Sequence, residues 1–167
     1  MMITTETMRV LENSGLVEDV IIGYLVNNEM EMKGSLSTFN MTVRSMTEKQ
    51  PDRRRFTETV WGKNGDYDFS TPVHYSRRQF DLVFNIYGDL GNMQDQRDEF
   101  VKFLTETVEK PGSVLMFSKR KNVVYTDLRL EVGDFKPDDY PKGKWQSTLG
   151  ITISTAPYFT KDGVQYI

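Results

Sequence analysis

A chain of 167 residues with 24 acidic and 21 basic side chains, a net charge of −3 and 12 % aromatics has the makings of one folded domain with a real core, and lacks the composition of disorder. It has no cysteine and a single histidine, which excludes disulfide frameworks, thiol nucleophiles, iron–sulfur clusters and the common kinds of zinc site. The acidic balance also argues against a nucleic-acid binder, which needs Lys and Arg in excess on at least one face.

In chain order, Met1 to Gly15 carries Glu6 and Arg9 among polar residues, so it is expected to be no signal peptide and to offer a free, strand-like arm to another subunit. Val20 to Val26 is the longest apolar run and, at seven residues, is too short to span a bilayer. Phe39, Met41 and Val43 then alternate with Asn40, Thr42 and Arg44. Arg53-Arg54-Arg55 reads as a solvated strand edge or as a set of ion pairs to a neighbouring subunit. Lys63-Asn64-Gly65-Asp66 holds the Asn-Gly pair that favours a tight hairpin turn. His74 sits in the loop-like stretch Thr71 to Tyr75, where a structural or solvent-facing role is expected.

Phe80, Leu82, Phe84 and Ile86 recur at every second position, as in a half-buried strand. Between Tyr87 and Val114 the period changes. Phe100, Val101, Phe103, Leu104 and Val108 form one stripe, predicting an amphipathic helix over about 93–109, capped by Asn92 and stopped by Lys110-Pro111-Gly112. Lys121-Asn122 is expected to turn the chain between Val114–Ser118 and Val123–Asp127, with Lys119-Arg120-Lys121 at the hairpin tip. Leu128, Leu130 and Val132 alternate with charged residues, Asp134 to Gly143 reads as an exposed loop, and Trp145, Leu149, Ile151 and Ile153 mark the last long strand. Thr160 to Ile167 carries little pattern. Alternation with one wet face belongs to antiparallel sheets. The predicted class is therefore mainly β (α+β): an antiparallel β-sandwich or split barrel with one amphipathic helix and extended hairpins or arms, in a single domain over 1–167.

Motifs for chemistry are missing. There is no G-x-S-x-G elbow, no G-x-x-x-x-G-K-[ST] and no G-x-G-x-x-G. Asp66-Tyr67-Asp68-Phe69-Ser70 starts like a calcium loop, but it lacks the glycine of the sixth position and has Arg77 where the bidentate glutamate belongs. Carboxylate pairs for a glycosidase cannot be tested by sequence. Tyr67, Tyr75, Tyr125, Tyr140, Trp145 and Tyr158 offer stacking faces to a sugar, or core and interface packing. Met41 and Met116 fall within strand patterns and read as packing. No catalytic residue, cofactor or metal is expected.

One ordered set of residues has a family likeness. Arg53-Arg54-Arg55-Phe56 leads into Val60-Trp61-Gly62-Lys63-Asn64-Gly65-Asp66-Tyr67-Asp68-Phe69-Ser70, followed by Tyr75, Arg78, Phe80, Leu82 and Phe84 and then the helix. This resembles the N-terminal domain of the distal tail proteins of long-tailed bacteriophages (siphovirus tail components), over roughly Arg53 to Phe159. Their pattern is a basic strand, a Val-Pro-Gly-x-x-Gly-x-x-Asp turn, a Tyr-x-x-Arg strand, one helix, a hairpin and a long last strand. Here Trp61 replaces the usual proline before Gly62, and the second, carbohydrate-module-like domain of larger members is not expected in this chain. The resemblance implies a hexameric ring at the tail tip that joins the tail tube to the baseplate hub, with a lumen for the tape-measure protein and then DNA. It implies a place in the virion, after synthesis in the bacterial host cytoplasm, without membrane insertion. Inter-subunit contacts are expected at Arg53, Arg54, Arg55, Trp61, Gly62, Asn64, Gly65 and Asp66. A tail-tube or tail-terminator protein and a host-glycan-binding module are the alternatives.

Overall fold

The computed structural model describes residues 18–54, 57–59, 66–68, 74–88, 90–138 and 145–167. Among them are fourteen strands and one helix: β1 Val20–Val26, β2 Glu29–Gly34, β3 Thr42–Lys49, β4 Arg53–Arg54, β5 Thr57–Thr59, β6 Asp66–Asp68, β7 His74–Tyr75, β8 Arg78–Gly88, α1 Leu90–Thr107, β9 Val114–Phe117, β10 Arg120–Thr126, β11 Arg129–Asp138, β12 Trp145–Thr155, β13 Phe159–Lys161 and β14 Val164–Tyr166. Two antiparallel sheets face each other, one of six strands in the order β14-β13-β10-β9-β1-β2 and one of four in the order β11-β12-β8-β3. Over the described residues the protein is a mainly β sandwich with one helix.

The alternating segments build the core. Phe80, Leu82, Phe84 and Ile86 of β8 and Leu149, Ile151 and Ile153 of β12 are buried on the inner face of the four-stranded sheet. Ile22, Leu115, Phe117 and Tyr125 meet them from the six-stranded sheet. Ring contacts tie the layers, with Phe80 4.8 Å from Tyr125 and 5.2 Å from Phe117 between centroids. Tilted and edge-to-face pairs at these separations are favourable beyond the area they bury. On its other face the four-stranded sheet is polar, and Asp81 accepts hydrogen bonds from Thr152 at 2.8 Å and Gln79 at 3.0 Å.

Helix α1 closes one open side of the sandwich. Phe100 packs 5.2 Å from both Phe84 and Phe39, and Phe103 lies 5.8 Å from Tyr24. The helix begins at Leu90, three residues before the predicted start, so Asn92 lies inside it and is not its cap. Met93 explains the earlier start: it is fully buried and its sulfur meets the Ser147 hydroxyl at 3.2 Å, a position that the first turn must already be formed to reach. At the other end Ser113 donates to the carbonyls of Val108 and Lys110, satisfying acceptors that a helix C-terminus leaves free.

Two predicted turns are something else. The β9–β10 connection lies at Ser118-Lys119, while Asn122 sits within β10 with φ of 60° at a shift of register between Arg120 and Tyr125. Asparagine tolerates the left-handed region wherever the backbone needs it, so it marks a bulge as readily as a turn. Its amide also donates to Asp162 at 2.9 Å. Asp134 to Asp138 is likewise strand, the outer half of β11, paired with β12 past a shift of register between Val132 and Phe135. Pro137 is accommodated because β11 is an edge strand, where alternate residues turn their backbone nitrogen away from the ladder. Thr160 to Ile167, patternless in sequence, supplies the β13–β14 hairpin.

Candidate assembly surface

The hairpin made by β3 and β8 does not end where the sheet does. Lys49 is paired with Gln79, Arg53 with Tyr75 and Arg54 with His74, so each step outward along one strand is matched by one step along the other. Between these pairs the Ser76 amide donates to the Asp52 carbonyl at 2.8 Å and the Asp52 amide to the Ser76 hydroxyl at 2.7 Å. The last residue of β12, Thr155, is paired with Arg78, so beyond Arg78 the ladder has two strands among the described residues. Farther along the same excursion of the chain, Thr57–Thr59 pairs with Asp66–Asp68. The result is a two-stranded arm rising from the sandwich.

Arg53 and Arg54 lie on this arm, exposed, opposite Tyr75 and His74. Asp66 opens β6 opposite Thr59. Arg55, Trp61, Gly62, Asn64 and Gly65 lie outside the described residues, as do the predicted N-terminal arm over Met1 to Gly15 and the Asn64-Gly65 turn. The predicted contacts that the structure describes, Arg53, Arg54 and Asp66, thus lie on strands between β3 and β8.

Its foot is held by a pair of arginines that the sequence pattern undervalued. Arg77 donates from Nε to the Ser154 hydroxyl at 3.1 Å and from Nη1 to Asp127 at 2.5 Å, and also to the Asp127 and Ser154 carbonyls, bridging the end of β12 to the chain between β10 and β11. Arg78 turns into the molecule and is only 1 % exposed. It donates to Glu48 at 2.8 Å, Gln50 at 2.6 Å and the Pro157 carbonyl at 3.3 Å, with its guanidinium 5.0 Å from the Phe159 ring centre and 6.0 Å from that of Tyr125. Glu48 also accepts from Arg120 at 3.3 Å, and Arg120 donates to the Tyr125 hydroxyl at 3.0 Å. Burial works against the charge of Arg120, but its contacts with Tyr125 and the Glu48 carboxylate outweigh it and hold the guanidinium above its ordinary pKa. Arg120 is therefore drawn inward from the predicted hairpin tip. Sequence offered one signal for this cluster, the Tyr75-x-x-Arg78 spacing, and none for Glu48.

Tyr125 is buried, Tyr75 and Tyr158 meet each other edge to face at 6.4 Å, and the side chains of Tyr67, Tyr140 and Trp145 lie outside the described residues. A groove of about 470 Å³ runs between α1 and β11, lined by Arg97, Val101, Lys102, Val132, Phe135 and Leu149. Its one aromatic face, Phe135, is covered by the Arg97 guanidinium 4.5 Å from the ring centre. Among the described residues no three His, Cys, Asp or Glu side chains converge as a metal site would need, and no helix is long and apolar enough to cross a membrane.

Fold and surface together define a β-sandwich with a helix-closed side and a pinned two-stranded arm. Comparison with solved structures finds similarity to the SPP1 Dit protein, described as a paradigm of the hub adsorption apparatus in Gram-positive infecting phages, at 12 % identity and a TM-score of 0.46 over 84 % of this chain. The match spans 51 % of that protein, about half its length. The chain is also similar to the tail of an empty GTA particle of C6 symmetry, at 8 % identity and a TM-score of 0.39, over 85 % of this chain and 94 % of that one. No protein-family model and no curated protein matches the chain.

Proposed function

We propose that this chain is a structural subunit of a phage tail tip, forming a hexameric ring that joins the tail tube to the baseplate hub. The observation that carries the reading is the arm: a hairpin that continues in register out of the four-stranded sheet, with its foot gripped by Arg77 and Arg78. A rigidly rooted, exposed pair of strands has little use in a monomer, where an unpaired edge is a liability, and an evident use as a reach from one subunit to the next. Heterologous contacts of that kind close into rings. The order of residues shared with the distal tail proteins, from Arg53 to the helix and last strand, supports the same reading.

In this role the whole chain, 1–167, acts as one ring-forming domain without catalytic activity or cofactor. Arg53, Arg54 and Arg55, with the hairpin residues Trp61, Gly62, Asn64, Gly65 and Asp66, lie at inter-subunit contacts. The lumen passes the tape-measure protein and then DNA, and the modest negative charge of −3 per chain disfavours DNA sticking there. The ring's neighbours are the tail-tube protein and the baseplate hub, and its place is the virion tail, after synthesis in the host cytoplasm. Negative-stain imaging of the purified chain is expected to show single or double rings with a central hole. Long tubes would assign it to the tail tube, and isolated particles that bind glycans would assign it to a host-recognition module.

A further inference from the structure

The large apolar side chains that stay exposed among the described residues gather at the two opposite edges of the six-stranded sheet. At one edge are Leu25, Val26, Met30 and Met32, on β1 and β2. At the other are Tyr158, Val164, Tyr166 and Ile167, on and beside β13 and β14. Only Val132 lies elsewhere, on β11. Scattered exposed apolar residues need no explanation, whereas clusters mark contact sites.

The strand residues that lead the two clusters lie on opposite faces of that sheet, Leu25, Met30 and Met32 on one and Val164 and Tyr166 on the other. Met32 is paired with Gly23 and Met30 with Leu25, one residue out of step with Ile22 and Tyr24, which face the core and α1. Met30, Met32 and Leu25 therefore stand on the outer face. A side chain built on Gly23 would come within 2.7 Å of Val114 and 3.1 Å of the Met30 sulfur, which shows how closely these groups cover that face of β1. Met116, read from sequence as packing, belongs to this outer face too, since it is paired with Ile21. By contrast Tyr166 is paired with Phe159, and Phe159 with the buried Tyr125, so Tyr166 and its neighbour Val164 point to the core side. There β14 is exposed along its length, and Tyr166 stacks on Phe159 at 5.7 Å, with no further strand beyond it among the described residues.

We propose that these edges form a lap joint between copies of this chain: the core-side face of β13–β14 of one copy lies on the outer face of β1–β2 of the next. The inference rests on the ring reading above and names the surface that closes the ring. An apolar patch on one face at one edge and on the opposite face at the other is what overlapping tiles require. A two-fold dimer that sets one patch against its own copy leaves the other patch uncovered, so the contact that covers both is heterologous. Lys161, paired with Val164, shares the core-side face of the β13–β14 edge, and the Tyr75–Tyr158 contact brings the foot of the arm to the same edge. Methionines give an adaptable seat, and tyrosine is the kind of anchor that carries binding energy at interfaces.

The natural absence of cysteine makes the joint directly testable. Met32 is 61 % exposed and Val164 52 %, so neither substitution disturbs the core. Full-length chain carrying both Met32→Cys and Val164→Cys is expected, on oxidation, to give a covalent ladder that ends at the ring's stoichiometry, while each single variant stops at dimers or below. Rings by imaging with no ladder would overturn the lap joint and leave the ring reading standing; neither rings nor ladder would end both. As an independent check, Met32→Lys should raise the half-assembly concentration at least about tenfold with an unchanged thermal midpoint, and adding Val164→Glu should restore it to within about threefold. A folded Met32→Lys variant that assembles like the natural chain would also overturn the proposal.

Discussion

Replacing Arg78 with alanine is expected to lower the free energy of unfolding by about 3–5 kcal/mol, read from urea titration followed by fluorescence. Two effects add. The first is electrostatic: Glu48 loses the partner at 2.8 Å and keeps only the more distant Arg120, while Gln50 and the Pro157 carbonyl lose their donor. The second is packing, because a side chain only 1 % exposed leaves a void beside Tyr125 and Phe159. Lysine should not rescue the variant, since its single ammonium cannot span three acceptors and lie against two rings. A buried ion pair is poor evidence for stability as such, and Arg78→Met combined with Glu48→Gln should recover part of the loss. The arginine's contribution is instead to fix where the arm leaves the sandwich, so amide exchange at Tyr75 and Ser76 should quicken in Arg78→Ala. A loss below about 1 kcal/mol would contradict this account of the cluster.

The second large effect concerns assembly. Replacing residues 55–73 with Asn-Gly joins the paired Arg54 and His74 by a two-residue turn, a length suited to a hairpin, and leaves Glu48, Gln50, Arg77 and Arg78 untouched. The shortened chain should keep its thermal midpoint within a few degrees, about the shift produced by 1 kcal/mol in a domain of this size. Its sedimentation coefficient, however, should fall from that of the ring to that of a monomer. An arm-less chain that still forms full rings would show that the arm is not an assembly element.

The sequence made the four-stranded sheet plain, because β8 and β12 bury one face and wet the other and so alternate cleanly. The six-stranded sheet was harder to see. In Val20–Val26 the core covers one face while Met30, Met32 and Val114 crowd the other, so the strand shows as an unbroken apolar run. Its hairpin partner begins after Asn27 and Asn28, whose φ values of 50° and 66° mark the turn that joins the two strands. Pro137 and a register shift disguised the far half of β11, and the burial of Met93 moved the helix start ahead of the capping signal at Asn92. On the proposed assembly surface the exposed strand at Arg53 and Arg54 was legible, since charge on a strand already implies exposure. The methionine edge was not, because an apolar residue on a strand suggests core until the pairing register shows which way it points.

Native mass spectrometry of the intact purified chain, over a range of concentrations, tests the central claim most directly. A closed species of six copies, persisting on dilution without a series of open intermediates, is the predicted result. A chain that stays monomeric throughout, or grows without a fixed stoichiometry, would contradict it.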